Sequence, residues 1–245
     1  MVLKAPYGIS GVQYLSVSAS EKERVARSIK KHTKLLKSYE TALLSFNRKH
    51  NLVSRSAENH FFQHHIQHSL AIACRDFPPD VHIVDWGSGG GLPAIPLAVI
   101  FPSVQVTALD KVGKKMQVVE AIVRRLSIRN VSVCHSRAED YHENAEFSVS
   151  RATVPLSTLW KWHSQVARIQ KGSVAKDCDS GQGGTSFWPP GLICLKGGDL
   201  AEEIKILQDW YPDLLVTVLS VDELFNNQPY FREKVIVHVQ LNENT

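Results

Sequence analysis

From residue 81 onward the chain alternates short, apolar-rich runs with longer stretches whose apolar residues recur at helical spacing. Val81–Asp85, Val104–Asp110, Val131–His135, Phe147–Ser150 and Gly191–Lys196 read as buried strands; Pro93–Ile100, Lys114–Leu126 and Leu156–Arg168 read as the helices between them. Such alternation predicts an α/β fold with a doubly wound, mostly parallel sheet, in which ligands bind past the carboxyl ends of the strands. Two later runs, Leu214–Leu219 and Lys234–Gln240, predict a meander adding an antiparallel edge. Ahead of this lies a different pattern. Ser20 with Glu23 reads as a capping box, and Val25, Ile29, Leu36, Tyr39, Leu43 and Phe46 follow at helical spacing, predicting a helix of about 25 residues that breaks near Asn47–Asn51. A second helical stretch, Ala57–Arg75, stops at Pro78-Pro79. The expected organisation is a loose N-terminus over residues 1–19, a helical cap over 20–79 and a main domain over 80–245, in which the Gly/Ser-rich segment 171–190 is a mobile insertion.

The sharpest local signal is His82–Leu97, where an apolar strand breaks at Asp85 into Gly87, Gly89, Gly90 and Gly91 and then turns apolar again. Glycines at such a turn remove the Cβ atoms that would hold a ligand off the backbone, and the next helix points N–H groups at bound polar atoms. Counting on from Gly87 and Gly89 gives Leu92 where the dinucleotide fingerprint needs a small residue, and no Gly-Lys-Ser/Thr follows to make a phosphate loop. The remaining pattern, Asp85-x-Gly87-x-Gly89-x-Gly91, looks like the first motif of S-adenosylmethionine-dependent methyltransferases. Asp110, ending the next strand, faces the same crevice and suits a ribose, because a carboxylate can accept from both hydroxyls.

Charge refines this picture. The net charge is +4, but residues 1–75 hold 12 Lys/Arg against 4 Asp/Glu, so a basic head sits on an acidic body. A solvated helix face accounts for Lys30, Lys31, Lys34 and Lys37; a surface that neutralises phosphates accounts for them equally. The four cysteines, Cys74, Cys134, Cys178 and Cys194, have no metal-like spacing and read as reduced, buried thiols. No apolar run approaches the roughly 20 residues of a membrane span and no signal pattern opens the chain, so no membrane partner and a cytoplasmic setting are expected.

Several boxes together resemble one family, the small-subunit ribosomal RNA 7-methylguanosine methyltransferases, also called glucose-inhibited division protein B. They are Asn51-Leu52, His65-Ile66-Gln67-His68-Ser69, Gly91-Leu92-Pro93-Ala94-Ile95-Pro96, Leu109-Asp110 with Lys114-Lys115, Ser136-Arg137-Ala138-Glu139, Ser150-Arg151-Ala152 and Lys196-Gly197. The likeness runs from about residue 30 to 240. It departs from the family pattern at His68, where an acid is usual, at Glu146, where Asp is usual, and in a longer 171–190 segment. The resemblance implies a Rossmann-like class I methyltransferase fold with an N-terminal helical cap. It implies S-adenosyl-L-methionine as cofactor, held by Asp85, Gly87, Gly89, Leu92, Asp110, Ala138, Glu139 and Arg151. It implies 16S ribosomal RNA or the small ribosomal subunit as partner, met by His65, Ser69, Arg151 and Lys196, and a chain acting as a monomer.

Guanine N7 carries a free lone pair at neutral pH, so its methylation needs no general base, and alignment alone can supply roughly 7 to 11 kcal/mol. No catalytic acid or base is therefore expected. His60, His64 and His68 share a helical face, yet no Cys or carboxylate completes a metal set, and no metal is expected. The competing readings are a methyltransferase acting on a small molecule or protein, and a non-catalytic RNA-binding relative.

Overall fold

The computed structural model describes residues 11–50, 58–151, 154–167 and 186–242. Asn51-Leu52, Ala152, Cys178 and most of the 171–190 segment lie outside them. Eight strands form one sheet: β1 (Val12–Leu15), β2 (His82–Trp86), β3 (Gln105–Asp110), β4 (Val131–His135), β5 (Phe147–Arg151), β6 (Gly191–Gly197), β7 (Leu214–Ser220) and β8 (Lys234–Leu241). Their order across the sheet is β1-β7-β8-β6-β5-β2-β3-β4. All neighbouring pairs are parallel except those made by β8, which runs antiparallel to both β6 and β7.

The helices are α1 (Ala19–His50), α2 (62–74), α3 (Ala94–Ile100), α4 (Gly113–Leu126), α5 (Leu156–Val166), α6 (Ala201–Trp210) and the short α7 (Val221–Leu224). α2 changes pitch along its length: π-helical over Phe62–Gln67, α-helical over His68–Leu70 and 3-10 over Ala71–Cys74. The result is three layers. On one face α1, α2, α3 and α4 cover the sheet with Leu36, Leu43, Ile66, Ile72, Ile95 and Val119 in one continuous core; on the other α5 and α6 bury Leu159, Trp160, Ile204 and Leu207. Helices α1 and α2 thus share the main core with β2, β3 and β5 through Ile83, Ala108 and Phe147.

Three expectations need correction. Part of the N-terminal segment expected to be loose is β1, which pairs in register with β7 from Val12↔Val216 to Leu15↔Leu219 and covers an edge that would otherwise stand open. The last two strands do not form an edge: β8 lies inside the sheet between β6 and β7. The capping box sits two residues upstream of Ser20, where Ser18 N donates to Glu21 Oε2 at 2.8 Å and Glu21 N donates to Ser18 Oγ at 3.2 Å. With that start α1 runs for 32 residues, longer than its apolar periodicity suggests.

Candidate functional site

β2 ends at Asp85 and Trp86 in the middle of the sheet, between β3 and β5, so the loop that follows emerges at the switch point between strands connected in opposite directions. Gly89 has φ +59°, and a Cβ built on it would meet nothing closer than 4.0 Å: it faces open space. Gly91 has φ +92°, strained for any other residue, and a Cβ there would come within 2.6 Å of Ile95 Cδ1 and force that buried side chain to move. The loop's own N–H groups are mostly occupied. Those of Gly87 and Ser88 donate to Leu109 O, and those of Gly91 and Leu92 to Ser88 O, all at 2.9 Å. The Ala94 N–H at the head of α3 donates to Asp85 Oδ2 at 3.0 Å, so the helix start serves Asp85 and not, as its position after the glycines suggests, a ligand.

Asp85 is fully buried. Its Oδ2 also accepts from Ser88 Oγ at 2.6 Å, while its Oδ1 has no partner among the described residues. Burial pushes this carboxyl up to about 7, against the pull of the Ser88 and Ala94 hydrogen bonds and of the Arg151 charge. Asp110, at the end of β3, spans the crevice: its Oδ2 accepts from Gly89 N at 3.0 Å and its Oδ1 from Val112 N at 2.9 Å. Each oxygen keeps a further lone pair for a hydroxyl donor. Leu92 is buried against the main core beside the loop. Beyond β4, the 3-10 turn Ala138–Asp140 presents a buried Ala138 and an exposed Glu139. The structure thus gathers Asp85, Gly87, Gly89, Leu92 and Asp110 around one loop, with Ala138 and Glu139 beyond the strand next to Asp110.

Arg151 closes β5 on the other side of β2. Its Nη1 donates to His65 Nδ1 at 2.7 Å, its Nε is buried without a partner, and no carboxylate lies within ion-pair distance among the described residues. Burial and the adjacent guanidinium hold the His65 imidazole down to about 4, the neutral state that acceptance from an arginine requires. His68, below it on α2, is buried and pushed down to about 3 by burial and by Arg151. His64 stacks on Tyr230 with ring centroids 3.7 Å apart and planes 4° apart. Tyr39, from α1, donates its hydroxyl to Gly90 O at 2.9 Å and ties the N-terminal helix to the glycine loop. Sequence reading placed Tyr39 among the apolar residues of α1, and nothing in the pattern near Tyr230 marked it; the roles of both depend on tertiary approach.

Two expected RNA contacts lie elsewhere. Ser69 is fully buried, its Oγ donating to His65 O at 2.8 Å, so it offers nothing to a partner. Lys196 is also buried: its Nζ donates to Val154 O and to Glu203 Oε1, both at 2.6 Å, which makes it an internal tie between β6 and α6. No group of three or more His, Cys, Asp or Glu side chains able to hold a metal ion occurs among the described residues.

The profile of the family described as rRNA small subunit methyltransferase G matches residues 32–175. Among similar proteins, Ribosomal RNA small subunit methyltransferase G of Salinibacter ruber is 40% identical over 227 residues, covering 93% of this chain and 96% of its own. The protein of the same name in Phocaeicola vulgatus is 40% identical over 197 residues, covering 80% and 85%. Among solved structures, a ribosomal protein L11 methylase from Lactobacillus delbrueckii subsp. bulgaricus superposes with a TM-score of 0.53 over 72% of this chain and 78% of its own at 11% identity, a likeness of fold alone.

Proposed function

The chain belongs to the rRNA small subunit methyltransferase G family, and on that footing we propose that it transfers a methyl group from S-adenosyl-L-methionine to N7 of a guanine in 16S ribosomal RNA. The observation that carries the cofactor half of this reading is the crevice itself: a glycine turn that opens at Gly89, bridged by the Asp110 carboxylate and backed by a buried Asp85 oxygen with no partner. A buried, unsatisfied carboxylate oxygen is costly unless a donor or cation reaches it.

The residues present fit that cofactor. Gly87, Gly89 and Leu92 would line it, Asp110 would accept from its ribose hydroxyls, Asp85 would answer its cationic end, and Ala138 with Glu139 would flank its base. When bound, the group supplies an electrophilic methyl on a sulfonium. Arg151 is held by His65 with its Nε free, which suits an anionic group, a carboxylate or an RNA phosphate, better than a guanine that gains positive charge as it is methylated. No side chain needs to remove a proton from N7, so the chain's contribution is alignment and exclusion of water. The activity belongs in the cytoplasm, with the monomer acting on the RNA or the small subunit.

The test is to incubate the protein with methyl-labelled S-adenosylmethionine and unmodified 16S ribosomal RNA and to map the label. Label at a guanine N7, abolished in Asp110→Ala together with cofactor binding by calorimetry, is the expected result. Label at another RNA atom overturns the N7 assignment, and label only on small molecules or protein overturns the RNA substrate.

A further inference from the structure

The solvent face of α1 carries Arg27, Lys30, Lys31, Lys34 and Lys37, and no acidic residue occurs between Arg24 and Tyr39. All five are exposed. Their spacings of three and four set like charges beside one another along the helix, an arrangement that costs helix stability. On α4, by contrast, the exposed Arg124 is answered by Glu120 one turn back at 2.5 Å. On α1, Arg27 has Glu23 and Lys37 has Glu40, but Lys30, Lys31 and Lys34 have no carboxylate within ion-pair distance among the described residues. A face kept only for solubility has no need of a one-signed row.

The row also has a direction. From Arg27 to Lys37 it covers ten residues, about 15 Å at the helical rise, or the axial length of about four phosphates of one duplex strand. Its lower end borders an open groove of about 750 Å³ between α1 and Phe101, lined by Arg27, Lys31 and His32 together with Arg24 and the carboxylates Glu23 and Asp76, which pair with Arg27 and Arg24. Its upper end meets the start of α2: Lys37 Nζ lies 4.2 Å from the Phe62 ring centroid, and Phe62 N donates to Glu40 Oε1. Phe62 opens α2, which carries His64 and His65 to Tyr230 and Arg151.

We propose that the exposed face of α1 from Arg27 to Lys37 is a docking rail for the phosphate backbone of the RNA substrate, leading it to the cleft at Gly89 and Arg151. The assignment rests on the RNA substrate proposed above. Phosphate contacts fix register without reading sequence, so the rail supplies affinity and orientation while the cleft selects the base.

The test is the triple variant Lys30→Gln/Lys31→Gln/Lys34→Gln in the full chain, titrated with unmodified 16S ribosomal RNA transcript at several salt concentrations. The slope of log K against log salt is expected to fall by about 2 to 3 in magnitude, about 0.7 to 0.9 for each phosphate left unneutralised. KM for the RNA should rise at least tenfold at physiological salt with kcat and cofactor affinity unchanged, and the melting temperature should hold or rise because repulsion within α1 is relieved. A restoring variant, Lys30→Arg/Lys31→Arg/Lys34→Arg, should bind as the unaltered chain does. An unchanged salt slope and KM in the Gln variant, with the unaltered chain still methylating the RNA, overturns the rail and leaves the substrate standing. Failure of the unaltered chain to bind the RNA overturns both. Loss of binding to vesicles of anionic phospholipid, with RNA binding intact, assigns the face to a membrane surface and overturns the proposal.

Discussion

At the scale of single residues, the chemistry is decided by which buried polar atoms find partners. Asp85 has a protonation equilibrium near 7 because burial outweighs its two hydrogen bonds. A cation or donor brought to its free Oδ1 favours the ionised form, so ligand affinity should tighten as pH rises through about 7 while kcat stays flat, with proton release seen when binding heats are compared across buffers. Asp85→Asn should flatten that dependence. Lys196 makes the opposite point. Its sequence context after a strand, beside Gly197 and Gly198, suggests a group reaching out to RNA, yet it is clamped between Val154 O and Glu203. Lys196→Met should leave RNA affinity unchanged and cost about 1–3 kcal/mol in denaturant unfolding, between the values for exposed and buried pairs. Ser69 was unreadable for the same reason: which way a hydroxyl on a helix points is set by tertiary packing, and here it bonds back to His65 O.

At the scale of elements, the apolar runs of β2, β3, β5 and β6 were legible because strands buried on both faces leave largely hydrophobic stretches that few other structures need, whereas β4, half-exposed at the sheet edge, showed itself through alternating Val131 and Val133. The glycine turn and Asp110 were legible because their chemistry is local to strand ends. What escaped was pairing over distance. Nothing in Lys234–Leu241 says that it lies between β6 and β7, and nothing in the four residues Val12–Leu15 distinguishes an edge strand from an irregular terminus. The change of pitch in α2 escaped because i→i+5 bonding leaves no simple periodic mark. Helix starts are read from Ser and Glu three apart, and α1 offers two such pairs, Ser18 with Glu21 and Ser20 with Glu23. Geometry selects the first. Ser18→Ala should therefore cost about 1 kcal/mol in stability and Ser20→Ala only a few tenths, measured by thermal or denaturant unfolding.

At the scale of the whole molecule, His68, His163 and His238 are buried as neutral rings, pushed down to about 3, about 4 and about 3 chiefly by burial. The unfolded chain takes up protons on them below about 6.5 while the folded chain does not, so stability is lost as pH falls from there toward 4. Asp85 works in the other direction over about 4 to 7, since the folded state holds a proton that the unfolded state has released. With His65, held down to about 4, these make four imidazoles against the one carboxyl, a net uptake of about three protons on unfolding, and unfolding free energies from denaturant titrations should fall by about 4 kcal/mol per pH unit below about pH 6. A His238→Gln variant, keeping a donor toward Pro189 O, should lessen that slope.

The placement of β8 bears on the order in which the molecule can be built. β2 to β6 can associate as soon as they exist, but β7 has no neighbour on that side until β8 arrives to join it to β6, and β1, whose partner is β7, must wait as well. During synthesis β1 is thus made some 200 residues ahead of the strands that hold it and is the last of the eight to settle. A nascent chain stalled before Lys234 carries a half-built sheet with an unsatisfied strand flank, a species for chaperones to shield and proteases to find.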